Sequence, residues 1–166
     1  MSAVLMRRTM AGLLLLSGLL LCSLVPGGPV ENRDFSALSP ALLLAFNIVL
    51  TALGLGSFLL VAGVLRGQPG ALRLSFWAGA AYLLVYGIDL LGWFPPTPSA
   101  MSEALLAVEL AGLLVAMALL WVSVHGQEAG LRGRAAAPMP AAAVLALAVV
   151  AMMIVAFATV SALRGS

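Results

Sequence analysis

Apolar residues run along this chain in five blocks, at 4–25, 39–65, 74–94, 102–124 and 139–163, and polar residues collect between them. A bilayer core of about 30 Å takes about 20 residues at the helical rise of 1.5 Å, so each block is long enough to cross it. Period-two alternation is absent, which argues against barrel strands. The separators carry helix breakers: Pro26-Gly27-Gly28-Pro29, Gly67-Gln68-Pro69-Gly70, Pro95-Pro96-Thr97-Pro98, and then Pro138 and Pro140. Ser99 or Ser102 stands where a cap for the fourth helix is needed. The second block exceeds what a bilayer needs, so it is tilted or begins outside the hydrocarbon. The pattern predicts an all-α, polytopic membrane helix bundle in one domain over 1–166, with five transmembrane helices.

The first block also resembles a secretory signal peptide, with Arg7-Arg8 ahead of AGLLLLSGLLL. Leu21 precedes Cys22 where a lipoprotein cleavage site wants a small residue, and the block is expected to be retained. A cut after Gly27 would leave four spans.

Composition agrees with a lipid environment: 63% of the 166 residues are hydrophobic and 8% charged, with mean hydropathy +1.16. A soluble domain carries roughly 25% charged residues. All eight basic residues are arginine, so no Schiff-base or P-loop lysine chemistry is available. This usage, with abundant Ala, Gly and Leu, suggests a GC-rich bacterial genome. With five spans, Arg7, Arg8, Arg66, Arg73, Arg132 and Arg134 fall on one side and Arg33 and Arg164 on the other. That bias predicts a cytoplasmic amino terminus and a periplasmic or extracellular carboxyl terminus, in the cell's inner (plasma) membrane. The pI of 9.3 is then topology, with attraction of the arginines to anionic lipid. No basic patch with interleaved aromatics points to nucleic acid.

Within the spans, polar residues share a level. Asn47 lies about 10 Å past Pro40, Asp89 about 9 Å before Pro95 and Glu109 about 10 Å past Ser102, all measured from the predicted outer face. Tyr82, Tyr86, Asp89 and Trp93 are spaced along one side of the third helix, and Glu109, Gly112 and Ala116 form a line on the fourth. If the lines meet, Asn47, Tyr82, Tyr86, Asp89, Trp93 and Glu109 border a polar pocket, with the Tyr86 hydroxyl and Asn47 amide near the acids. An Asp at the centre of a span costs about 2.5–3.5 kcal/mol, and no intramembrane arginine or lysine accompanies the two acids to offset it. Protonation of one acid is the expected relief. The blander alternative is that the acids reach interfacial water while Tyr86 and Trp93 act as belt anchors.

Other residues are less suggestive. Glu103 complements the dipole at its helix start, and His125 stands at a helix end. One His and one Cys do not supply a clustered metal or haem ligand set, and no cofactor is expected. Cys22 and the Met152-Met153 pair read as packing. Gly54-Leu55-Gly56-Ser57 invites comparison with intramembrane aspartyl proteases, which pair Tyr-Asp with Gly-Leu-Gly-Asp. Ser57 and the Ile88 before Asp89 break that pattern at both positions. The glycines there are read as helix packing.

Two classes of function follow. The first is a non-catalytic accessory or structural subunit whose small-residue faces and all-apolar fifth helix dock on other membrane subunits or on another copy. The second is a small oligomeric carrier or channel moving a proton-coupled or cationic solute past Asp89 and Glu109. An integral-membrane enzyme stands behind both, for want of a nucleophile or metal.

Overall fold

A computed structural model describes residues 2–26, 30–31, 33–35, 38–96, 99–128 and 141–164. Several breakers and loop arginines named above lie outside the described residues: Gly27, Gly28, Pro29, Thr97, Pro98, Arg132, Arg134, Pro138 and Pro140. Five helices form: α1 (Ala3–Ser23), α2 (Pro40–Leu65), α3 (Pro69–Leu90), α4 (Glu103–Glu128) and α5 (Ala141–Arg164). Each is long and apolar enough to cross a membrane, and the protein is an all-helical membrane protein.

Local signals set the helix starts. Ser2, Ser39 and Ser102 accept hydrogen bonds through Oγ from the backbone N–H three residues on, at 3.3, 3.3 and 3.1 Å, satisfying donors that the helix leaves open. Ser102, not Ser99, is therefore the cap of α4. Pro40 and Pro69 open α2 and α3, where a missing N–H is harmless. Helix bounds and apolar bounds differ by four or five residues at three ends. α3 begins at Pro69 rather than 74, because the hydrogen-bond ladder starts at the proline and carries Arg73 on its second turn. It ends at Leu90 rather than 94, because Gly92 turns left-handed at φ 66° and Trp93 N–H reaches the Ile88 carbonyl at 3.0 Å. α4 runs on to Glu128 rather than 124, since polar residues continue a helix past its apolar stretch.

α1 to α4 form a closed ring: α1 packs on α2 and α4, and α3 on α4 and α2, with little contact across the α1–α3 diagonal. Met10, Leu14, Val64, Leu72 and Leu119 fill one end of the ring, and Leu21, Tyr82, Tyr86 and Ala116 the other. α5 stands outside the ring, and α2 is the one helix it packs on. Only 6% of its most apolar stretch is buried, against 28% to 39% for the other helices, so lipid or another protein must cover the rest.

This arrangement overturns three packing expectations. Cys22, Met152 and Met153 face outward, the methionines because α5 has a single neighbour. Gly56 meets nothing where a Cβ would stand, whereas Gly54 on another face of α2 lies against Leu21.

Candidate functional site: an arginine clasp over the polar layer

The segment between α1 and α2 does not stay outside the bundle. Glu31, Arg33 and Phe35 are all buried. Phe35 packs with Leu43 of α2 and Ala162 of α5, anchoring the segment by apolar contact. Glu31 and Arg33, two residues apart, then form a compact unit. Glu31 Oε1 accepts from the Arg33 backbone N–H at 3.1 Å and from Nε at 3.0 Å, while Oε2 accepts from Nη2 at 2.6 Å. The free edge of the guanidinium points at α3, where Asp89 Oδ1 and Oδ2 accept from Nη1 and Nη2 at 2.6 and 2.8 Å. Such fork-to-fork pairing is the strong geometry for arginine and carboxylate.

Asp89 needs this partner for a local reason. Because α3 ends at Leu90, Asp89 stands in its last turn, where exposed carbonyls carry the negative end of the helix dipole. An unpaired carboxylate there would be disfavoured by both the dipole and the low dielectric. Burial by itself would lower the proton affinity of the Arg33 guanidinium, but hydrogen bonds to Asp89 and Glu31 outweigh it and hold the group above its ordinary value. Arg33 therefore stays charged. The expectation that the acids have no buried arginine is corrected: a loop residue supplies one.

Glu109 completes the cluster from α4. Its side chain is 0% exposed, and Oε1 lies 3.8 Å from Arg33 Nη2, too far for a hydrogen bond. Neither oxygen meets an N–H or O–H donor, its polar neighbour being the Asp89 carboxyl, and the buried Tyr86 hydroxyl has no hydrogen-bond partner. Tyr86 is held with its ring against Gly112, where a Cβ would come within 2.5 Å of the ring, and it stacks on Tyr82 at 6.1 Å. Glu31, Arg33, Asn47, Tyr86 and Asp89 border one side of a cleft of about 40 Å³, and Leu50 and Phe46 are among its apolar walls. That volume admits a few water molecules.

Of the six candidate residues, Asp89 and Glu109 converge on Arg33, with Tyr86 and Asn47 lining the adjoining cleft. Tyr82 and Trp93 do not join them. The Tyr82 hydroxyl bonds Ser57 of α2 at 2.9 Å. Trp93 lies beyond the end of α3 and is 73% exposed, where it suits an interfacial anchor. Asn47 donates its amide to Thr159 of α5 at 3.1 Å rather than to an acid. Sequence reasoning missed Glu31 and Arg33. Their signal was Arg33 itself, one of two arginines on the sparsely basic side, flanked by Glu31 and Asp34 and closely followed by Phe35.

The fold and this internal ion cluster define a polytopic helical membrane protein with a charged loop folded into one end. Residues 6–141, which contain α2 to α4 and most of α1, match the model of a family described as domain of unknown function (DUF8051), and the chain belongs to that family. No curated protein and no solved structure matches it.

Proposed function

We propose that this protein is a non-catalytic accessory or structural subunit of a larger assembly in a bacterial inner membrane, with its amino terminus cytoplasmic. The observation that carries this reading is the engagement of Asp89. Both carboxylate oxygens are taken by Arg33, which makes the polar layer a strut between the α1–α2 segment and α3 instead of an open coupling site. In support, α5 flanks the ring with most of its surface unpacked, and it begins where the family match ends. The arginine bias supports the orientation.

Site-specific photo-crosslinking in membranes tests the reading. A crosslinker at exposed Phe157 of α5 should give a discrete protein adduct, while one at exposed Leu114 of α4 should give lipid adducts only. Lipid adducts alone at Phe157 would defeat it.

A second reading, a small carrier for a cation or proton-coupled solute, is favoured by one observation. Glu109 presents buried oxygens that no donor meets and Tyr86 a buried hydroxyl without a partner beside the cleft, and one guanidinium faces the three carboxyls of Glu31, Asp89 and Glu109. A bound proton or cation would reduce that site's excess of negative charge. Proteoliposomes carrying a pH- or cation-sensitive dye would show flux that Glu109→Gln abolishes; flux equal to protein-free vesicles removes this reading.

A further inference from the structure

We infer that the end of the bundle opposite Asp89 carries a discrete binding site for the headgroup phosphate of an anionic membrane phospholipid, formed by Arg7, Arg66, Arg73 and the start of α3.

Here α1 begins, α2 ends and α3 begins. Arg7, Arg8 and Arg73 stand on α1 and α3 and Arg66 caps the end of α2, and among the described residues none of their side chains has an ion-pair or hydrogen-bond partner; each described ion pair involves Arg33. Arg7 is not simply extended into water. Its guanidinium lies over Gly67 in the α2–α3 turn, so close that a Cβ at Gly67 would overlap it, and its Nε is buried without an acceptor. A charge pinned in that way lacks both an anion and full hydration, and an outside anion would remedy both.

The start of α3 adds an independent donor. Gln68 occupies the N-cap but makes no side-chain cap bond. Its amide oxygen lies over α2 instead, 3.0 Å from where a Cβ on Gly63 would stand. Pro69 has no N–H and the Leu72 N–H reaches the Gln68 carbonyl at 3.1 Å, so Gly70 and Ala71 carry the uncapped N–H groups at the positive end of the helix dipole, close in sequence to the Gly67 that Arg7 covers, an arrangement suited to a phosphate. Arg66 adjoins Gly67 in sequence, and Arg73 lies four residues from Pro69 on the same side of α3. One turn further, Trp77 is 67% exposed, as expected of a residue at headgroup level. The chemistry asks for a singly or doubly negative phosphate at the membrane surface, which an anionic phospholipid provides where it is already concentrated.

The test uses the full chain in an uncharged detergent. It is titrated with phosphatidylglycerol, phosphatidylcholine or inorganic phosphate and followed by native mass spectrometry and thermal midpoint. Phosphatidylglycerol should be retained and should raise the midpoint, with phosphatidylcholine and inorganic phosphate doing neither. Arg7→Gln and Arg73→Gln should each weaken phosphatidylglycerol binding about fivefold, and added salt should weaken it in the parent chain. Equal responses to the two lipids, or unchanged binding when Arg7→Gln and Arg73→Gln are combined, would overturn the site; inorganic phosphate acting as well as the lipid would overturn the lipid as its ligand. Should Arg7→Gln fail to fold, the exposed Arg73→Gln decides alone.

Discussion

The two ends of the helix ring treat arginine in opposite ways. At the Asp89 end one guanidinium, 5% exposed, is enclosed by two carboxylates that bond it and a third nearby. At the other end, Arg7, Arg8, Arg66 and Arg73 meet no acid among the described residues, and all but Arg7 are exposed. A net charge of +2 conceals this separation. A buried charge must find its counter-ion within the protein, whereas one at the membrane surface can leave that task to water, salt and lipid. The first kind of arginine belongs to the fold, and the second is free to meet something outside it.

The contrast is broken most directly at Arg33. Arg33→Met removes the only cation among three carboxyls and should lower stability by about 3–5 kcal/mol, measured by denaturant unfolding in micelles. Arg33→Lys should recover only part of that, because an ammonium cannot span both carboxylates in the same plane. A loss below about 1 kcal/mol for Arg33→Met would show that the cluster is solvated and that the two ends do not differ in kind.

Packing beneath the clasp comes next. Gly112→Ala drives a methyl against the Tyr86 ring, which Tyr82 backs from behind, and should cost about 1–3 kcal/mol. Gly12→Ala, with nothing within 4 Å of the new methyl, should not destabilise and so controls for backbone effects. Equal effects from the two would mean that Tyr86 is free to move. Asn47→Ala removes the bond to Thr159 and should cost about 0.6 kcal/mol, the usual size of an interhelical hydrogen bond in membranes. The loss should appear as faster proteolysis or cross-linking of α5, with the ring unchanged. The smallest effect is expected at the basic end, where Arg8→Ala and Arg66→Ala should each change unfolding stability by less than about 0.5 kcal/mol in uncharged detergent. A larger loss would reveal a protein partner for one of them and erase the contrast.

Much of the membrane architecture was legible from runs of apolar residues, because the length of a spanning helix is dictated by bilayer thickness. The bounds were less so. Apolarity marks the stretch that touches lipid, while hydrogen bonding and capping mark the helix, and at Pro69, Gly92 and Glu128 the two part company. The candidate site was half legible. Asp89 and Glu109 stood out because an acid in lipid is expensive wherever it points, and their common depth follows from helical rise. Asn47 was placed at the same depth but turns its amide to α5, since depth along a helix says nothing about direction around it. Trp93 lay on the extrapolated face of a helix that had already ended.

What the chain's order of residues determined alone was its solvent: five stretches too apolar and too long for water, with acids placed where they demand compensation. The identity of that compensation was decided only by the tertiary structure. Arg33 and Asp89 are separated by 56 positions, and nothing local couples them. They meet because Phe35 finds an apolar seat between Leu43 and Ala162, which turns the α1–α2 segment inward and delivers the guanidinium to the end of α3.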